Sequence, residues 1–584
     1  MLDIKNLPEI IVAPRTDPLY SCHSYLTKVP IDAIKPFVEN FTKPGQTVLD
    51  FFAGSGMTGL AALSLNRKAF LSDISILGKH IADGFLTNVF SEDMREAADG
   101  VIARAKNSIG TIYTTTRSSD KNKVELVRTI WSFVYICPSC NSELVYYEHV
   151  SKTGKVPNEC PTCNSNFARR SWPRGKDVPV QVVISGVDGR QIEQKISDYD
   201  IRNIRKAIKD IRQDQIPSLS IDRDREMYSR SGLGKSGMTE TKMFFSPRNS
   251  IALLELWREI NALSDEKIRQ KLRFAFTAIL PRASKRYQWS AKRPLNAQNQ
   301  TYYIAPVYYE WNIFDLFNRK VNATIRANDL LFSNRNLWSN KIVQDITYET
   351  SSADKLKHIK DASVDYIFTD PPFGSNIFYS DMNLFHEAWL GKTTDYKSEA
   401  VIHTTGKRKD GSDERYEMLL QKAFQEAFRT LKPGCYMSVV FGNSRGSVWG
   451  LVQRALRNAG FKSSPVHVAI LDKGQRSVKG LNSGSQSVVT VDLILTYKKP
   501  KTGKKANNVR RLVNGDTSAL INGVIERLPD GEAKNASHVY AQVLKEAILK
   551  NLELDELHLS DVLIALSNMG YSINRKTGLL YFES

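Results

Sequence analysis

The sequence predicts an α/β fold: a Rossmann-like sheet of seven strands, split by a long insertion with a cysteine ribbon, and followed by a small helical, winged-helix-like module. Three observations predict it. Residues 47–52 read as a buried strand that runs into the glycine-rich turn Ala53-Gly54-Ser55-Gly56, then a helix, then a second strand closing on Asp73. Residues 364–369 read as another buried strand, ending abruptly in Asp370-Pro371-Pro372-Phe373-Gly374. Between them lies a stretch without the alternation of buried strand and helix, and it holds two Cys-x-x-Cys pairs.

Residues 1–46 lead in. His23-Ser24-Tyr25-Leu26-Thr27-Lys28-Val29-Pro30 precedes IDAIKPFVENF, whose apolar residues recur at helical spacing. Lys43-Pro44-Gly45 turns the chain into the first strand. In the βαβ unit that follows, Gly54 and Gly56 let the backbone approach a ligand above the sheet. Asp73, at the end of the second strand, is placed to accept hydrogen bonds from ribose hydroxyls. The turn lacks a third glycine and the Lys-Ser/Thr pair of a phosphate cradle. That favours a nucleoside without a pyrophosphate, such as S-adenosylmethionine (SAM). The blander alternative is an ordinary tight turn, but the flanking strand, helix and distant acid agree with each other.

In the insertion, Cys137-Pro138-Ser139-Cys140 and Cys160-Pro161-Thr162-Cys163 are separated by nineteen residues. Two such knuckles complete a tetrahedral zinc site with no open position, so a structural zinc is expected. His149, between them, is expected on the surface. Residues 179–184 and 191–196 flank Val187-Asp188-Gly189 as a hairpin, and 201–211 read as a basic helix. The glycine-rich residues 231–237 read as a loop, because no strand precedes them. Two helices follow, ending near 263 and 280. Residues 282–293 then carry Arg282, Lys285, Arg286, Lys292 and Arg293 with Tyr287 and Trp289 between them and no acid. Basic residues interleaved with aromatics suit a nucleic-acid backbone and unstacked bases; the alternative is a solvated loop with both rings in the core.

The sheet is expected to resume at Lys341-Ile342-Val343, with further strands at 436–441, 466–471 and 488–497. The resulting boundaries are 1–90 and 341–500 for the two parts of the sheet domain and 91–340 for the insertion, with the ribbon near 131–170. Residues 501–584 make a basic linker and a C-terminal module of two helices and a hairpin.

Composition bounds the partners. The 584 residues exceed one ordinary core. The 81 basic and 62 acidic side chains give a net charge of +19, which favours polyanions. Four of the six cysteines sit in the paired motifs while Cys22 and Cys435 stand alone, which argues for metal and against a disulfide framework. No apolar run approaches the roughly 20 residues of a membrane span, and the start MLDIKNLPEI has no secretory pattern. A cytoplasmic protein with no membrane partner is expected.

The Asp370 motif suggests a chemistry. Methyl transfer from SAM to an exocyclic amine asks mainly for positioning, because the sulfonium is already activated. The amine of adenine is a weak nucleophile whose lone pair is delocalised into the ring. Accepting its two hydrogens at the Asp370 carboxylate and the Pro371 carbonyl would localise that pair, and Phe373 would stack on the base. A base inside a duplex cannot reach such a pocket and must be flipped out.

Asp50-x-Phe52-x-Gly54-x-Gly56 together with Asp370-Pro371-Pro372-Phe373 resembles the amino-methylating (N6-adenine and N4-cytosine) DNA methyltransferases, over residues 1–90 and 341–500. His23 to Pro30 is similar to that family's cofactor segment, with Ser24 where a proline is usual. The resemblance implies that Thr27, Asp50, Phe52, Gly54, Gly56 and Asp73 line the SAM site and that Asp370, Pro371, Pro372 and Phe373 form the base site. The family's aromatic is usually Tyr; Phe373 keeps the ring. Asp354 is the candidate for an acid on the cofactor's adenine. The order of motifs implies target recognition in the insertion, and the resemblance implies double-stranded DNA as substrate and admits restriction or defence-system partner proteins; it favours adenine N6 as acceptor, because cytosine enzymes more often carry Ser where Asp370 stands. Rival readings are N4-cytosine methylation, N2-guanine methylation of RNA, and a non-catalytic DNA-binding scaffold.

Overall fold

The computed structural model describes residues 7–13, 17–291, 301–332, 345–472, 489, 491–501, 509–511, 516–527, 535–573 and 579–582. The chain divides into two compact units. The first comprises Met1–Leu86, Leu331–Ser380 and Thr394–Ser584; the second comprises Thr87–Leu330 and Asp381–Thr393. Residues 381–393, expected with the second part of the sheet domain, thus fall in the second unit, and the C-terminal helices fall in the first.

The first unit is built on a sheet of eight strands, where seven were expected. Their order is Ile10–Val12, His467–Asp472, Val491–Lys498, Leu431–Phe441, Val364–Thr369, Thr47–Asp50, Lys68–Asp73 and Ile346–Thr350. The additional strand is Ile10–Val12, which pairs parallel to His467–Asp472. Three residues are too few to show an alternation of their own in sequence. From Leu431–Phe441 to Ile346–Thr350 every pairing is parallel; Val491–Lys498 runs antiparallel to both its neighbours. Every residue of Val364–Thr369 is buried, as expected of a strand covered on both faces. Leu431–Phe441 begins before the expected position 436. The Lys432-Pro433-Gly434 turn is absorbed into the strand by a register shift against Val364–Tyr366, with Gly434 at φ 82°.

This order places the functional motifs. From Thr47–Asp50 the chain moves outward through Lys68–Asp73 to Ile346–Thr350, then returns to Val364–Thr369 on the other side of Thr47–Asp50. The crevice outside the carboxyl ends of these two neighbouring strands is a topological switch point, where open α/β sheets bind ligands. Residues 341–343 lie outside the described residues, and the strand described there is Ile346–Thr350.

The C-terminal segment contains three helices, Asp516–Glu526, Ala536–Leu549 and Leu559–Asn568, where two were expected, and an antiparallel pair, Tyr571–Ile573 with Leu580–Phe582. The turn of that pair, 574–578, lies outside the described residues, as do 502–508 of the linker. The segment packs against the helix Gly446–Asn458 at backbone distance. A Cβ on Gly446 would stand 2.3 Å from the Leu554 carbonyl oxygen, and one on Gly450 would stand 2.2 Å from the Asp555 carboxylate. The Gly446 amide donates to His558 Nδ1 (3.0 Å), and the Leu559 amide donates to the Ser444 carbonyl (2.9 Å).

The second unit has its own five-stranded sheet, in the order Val307–Trp311, Lys123–Ser132, Val178–Ser185 and Gln191–Lys195, with Thr114–Thr116 pairing Lys123–Ser132. Its pairings are antiparallel. The insertion is therefore not free of buried strands. The expected hairpin is present, but Lys123–Ser132 abuts the ribbon without a turn signal to set it apart. Helices Ser91–Ile109, Pro247–Asn261 and Glu266–Ala283 supply much of the core against this sheet. Within the basic aromatic stretch Arg282 is exposed, whereas Arg286 and Tyr287 are buried in that core. Arg286 is 3% exposed with its guanidinium 4.2 Å from the Phe385 ring, and Tyr287 packs edge-on against Trp311, as Trp289 does against Tyr147. Burial pushes the Lys285 amine down and the Arg286 guanidinium down to about 10. Lys292 and Arg293 lie outside the described residues. Among the described residues, no helix is long and apolar enough to cross a membrane.

Candidate active site and cysteine cluster

At the end of Thr47–Asp50 the chain turns sharply, with Gly54 at φ 47° and Gly56 at φ 80°. A side chain at either position would be strained and crowded: a Cβ on Gly54 would stand 2.8 Å from the Tyr25 ring, and one on Gly56 2.8 Å from Ala82. The turn is held from below. The Gly54 amide donates to Asp73 Oδ2 (2.8 Å), the Ser75 amide donates to Asp73 Oδ1 (2.8 Å), and the Tyr348 hydroxyl donates to the Gly54 carbonyl (2.7 Å). Burial raises the Asp73 carboxyl, and the hydrogen bonds from the amides of Gly54 and Ser75 oppose the rise. Each Asp73 oxygen has a second lone pair, so both can still accept from a ligand hydroxyl.

Asp50 has a different place. It is buried, and its oxygens are spent on the protein: Oδ1 accepts from the Phe52 amide (3.1 Å) and Thr369 Oγ1 (2.9 Å), and Oδ2 accepts from Thr58 Oγ1 (2.6 Å). Burial pushes its carboxyl up to about 7. Of the six expected SAM-site residues, Asp50 and Gly56 are buried and shape the turn, whereas Thr27, Phe52, Gly54 and Asp73 keep exposed surface. Thr27 adopts φ 56°, a strained conformation for a β-branched residue. Its hydroxyl meets that of Tyr379 at 2.7 Å, and the Tyr379 ring lies 6.3 Å from that of Tyr25. Asp354 follows Ser351, whose amide donates to the Asp73 carbonyl, and so lies at the same end of the sheet.

The base-site motif leaves Val364–Thr369 beside this turn. The two strands pair in parallel, Tyr366 with Val48 and Ile367 with Leu49. Successive carbonyls of the motif meet different fates. That of Pro372 accepts from the Tyr416 hydroxyl (2.5 Å) and that of Phe373 from Asn443 Nδ2 (2.9 Å). Among the described residues no donor reaches the carbonyl of Pro371. Asp370 is half-buried, and its charge adds to burial in holding the Tyr379 phenol protonated. The Phe373 ring is buried, edge-on to Phe441 at 5.1 Å. Gly374 is at φ 71°, with Val448 3.1 Å from where a Cβ would stand. The Glu399 carboxylate accepts from the amides of Tyr379 (2.7 Å) and Ser380 (3.2 Å), fixing the start of the helix after the motif.

Comparison with known proteins bears on this arrangement. Residues 12–83 match the N6/N4 methyltransferase family model, described as DNA methylase. Over that stretch the chain is similar to the DNA methylase family. No curated protein matches the chain. Among solved structures, a candidate DNA modification methylase of Thermus thermophilus, in selenomethionine form, is 18% identical over 31% of this chain and 58% of its own, with a TM-score of 0.16. The same protein complexed with S-adenosyl-L-methionine aligns at 16% identity, with the same coverages and a TM-score of 0.17. The match thus spans 58% of the length of that protein.

The four paired cysteines converge in the second unit. All four Sγ atoms lie within 4.8 Å of one another, with Cys137 to Cys163 at 3.6 Å and Cys140 to Cys160 at 3.7 Å. A tetrahedron with zinc–sulfur bonds of about 2.3 Å has edges of about 3.8 Å, so the donor set fits zinc. The two knuckles are built alike. Asn141 and Asn164 adopt φ 59° and 60°, and their amides donate to the carbonyls of Cys137 and Cys160. The repeat Cys-Pro-x-Cys-Asn-Ser carries that likeness in sequence. His149 is half-exposed and outside the cluster. Tyr348, Tyr379, Tyr416 and Asn443 were not expected at the site. Each acts across a long separation, and no local pattern marks them.

Proposed function

We propose that this protein transfers a methyl group from SAM to an exocyclic amino group of double-stranded DNA, adenine N6, with the target base flipped out of the duplex. One observation carries the reading. The glycine turn and Asp370-Pro371 share one end of two paired strands, and the Pro371 carbonyl stays open while the next two are taken. Bound SAM would supply an activated methyl group. Thr27, Phe52, Gly54 and Asp73 would hold it, with the outer lone pairs of Asp73 on the ribose hydroxyls. The Asp370 carboxylate and Pro371 carbonyl would accept the two amino hydrogens, directing the nitrogen lone pair toward the methyl group. Tyr416 and Asn443 would keep the motif in register by holding the carbonyls of Pro372 and Phe373. Adenine is chosen over cytosine on the resemblance, because cytosine enzymes more often carry Ser where Asp370 stands. The four cysteines would hold a structural zinc that stabilises the insertion.

The purified protein, incubated with labelled SAM and either duplex DNA or total tRNA, should label the DNA, and sequencing for modified bases should find N6-methyladenine. Label in tRNA alone overturns the DNA reading. N4-methylcytosine overturns the choice of base, and label in neither favours a scaffold.

A further inference from the structure

We propose that the exposed face of the helix Asp198–Ile208 is a docking surface for the phosphate backbone of DNA, formed by Arg202, Arg205, Lys206 and Lys209. This rests on the DNA reading above and assigns where the insertion grips its substrate. The helix is amphipathic to an unusual degree: Asp200, Asn203, Ile204 and Ala207 are buried, and the four cations, at spacings i, i+3, i+4 and i+7, are exposed. Asn203 fixes its roll by donating to the carbonyls of Thr111 and Thr114, each at 3.1 Å.

The four cations form one unpaired row along this helix. Among the described residues none of them has a hydrogen bond or an ion pair from its side chain. Asp198 is exposed one turn before Arg202 yet pairs with none of them, and Asp200 is turned into the capping box with Ser197. The helix Ser91–Ile109 of the same unit shows the contrast. There Arg95 pairs with Asp99, Arg104 with Glu259 and Lys106 with Glu125. A helix dipole favours cations in the last turn, but Arg202 lies in mid-helix, and like charges at i, i+3 and i+4 repel. An unmatched row of cations on a well-anchored helix suits an external polyanion. From Arg202 to Lys209 the row spans about 10.5 Å, long enough to reach two or more phosphates of one DNA strand. Such contacts grip DNA without reading its sequence.

The test is the salt dependence of DNA binding by the full chain carrying Arg202→Ala, Arg205→Ala, Lys206→Ala and Lys209→Ala together. Alanine preserves helix propensity, and an unchanged melting temperature and SAM affinity verify the fold. For a short duplex we expect affinity to fall at least tenfold near physiological salt, and the slope of log K against log salt to become shallower by about 2 to 3. Replacing only the two arginines by lysine should retain the wild-type slope. An unchanged slope in the folded quadruple variant overturns the proposal. So does loss of tRNA binding with duplex binding intact, which would assign the face to RNA. Methyl transfer by the wild type is scored separately. A wild type that binds DNA through this face yet methylates none of it overturns the catalytic reading and supports the docking face.

Discussion

Asp50 and Thr369, 319 residues apart in the chain, are joined by a 2.9 Å hydrogen bond at the carboxyl ends of two adjacent parallel strands. Thr369 is the last residue before Asp370, and Asp50 also takes the Phe52 amide and the Thr58 hydroxyl. One buried carboxyl therefore fixes the glycine turn, the helix after it and the start of the base-site motif to each other. Thr369→Val removes one donor from a buried acceptor. It should lower stability by about 1–3 kcal/mol and slow methyl transfer more than it weakens SAM binding. Denaturant titration and single-turnover rates measure the two effects. Thr369→Ser should restore both, and a Val variant with a wild-type rate would show that the bond does not transmit position.

The same carboxyl predicts a pH dependence. Burial raises Asp50 to about 7 in the folded protein, against about 3.9 for an unfolded aspartate. Between those values the folded state keeps a proton that the unfolded state gives up. The stability contributed is therefore full below about pH 4, falls as pH rises toward 7, and is level above that. Asp73 is raised in the same direction, so the comparison must be with Asp50→Asn, which keeps the shape and cannot ionise. Between pH 4 and 7 the wild type should lose stability relative to Asp50→Asn with a slope approaching about 1.4 kcal/mol per pH unit. Parallel stability curves for the two proteins would mean that Asp50 ionises freely when folded.

What was legible in the sequence is what lies close together along it. The βαβ unit, the proline motif and both cysteine knuckles each fit within a short window, and the structure places them at strand ends or turns. The partners that hold the site do not share such windows. Tyr348 reaches the Gly54 carbonyl across 294 residues and Asn443 reaches the Phe373 carbonyl across 70, and neither lies in a pattern that periodicity detects. Arg286 and Tyr287 show the opposite failure. Basic residues among aromatics look the same in sequence whether the rings face bases or a core, and here the fold buries both residues. Ile10–Val12 is a strand only because His467–Asp472 offers an edge.

Asp370→Ala should abolish methyl transfer while SAM binding persists, because the glycine turn is held by Asp50, Asp73 and Tyr348. Isothermal titration with SAM and a transfer assay separate the two. Equal loss of both would make the acid a structural element instead.

Cys137→Ser should release the metal and lower the stability of the insertion, because Cys137 is fully buried at the centre of the first knuckle. The SAM site belongs to the other unit, so SAM affinity should hold. Metal analysis, thermal melting and titration with SAM measure all three. A variant that melts like the wild type and contains no zinc would remove the structural role.

The C-terminal segment packs on the helix Gly446–Asn458, which follows Asn443. Asn443 holds the Phe373 carbonyl, its own carbonyl accepts from Trp449 Nε1 (3.0 Å), and Ser444 and Gly446 bond the segment 558–559. Gly446→Ala would drive a methyl group into the Leu554 and Leu557 carbonyls, at 2.3 and 2.5 Å, and neither can yield without moving backbone. We expect a loss of about 1–3 kcal/mol in stability. We also expect a lower kcat at unchanged SAM affinity, because the displaced strand end carries Asn443. Asn443→Ala should reproduce the kcat effect with the C-terminal contacts intact. If Gly446→Ala loses stability but keeps its kcat, and Asn443→Ala does not, the C-terminal helices stabilise the sheet without setting the geometry of the base site.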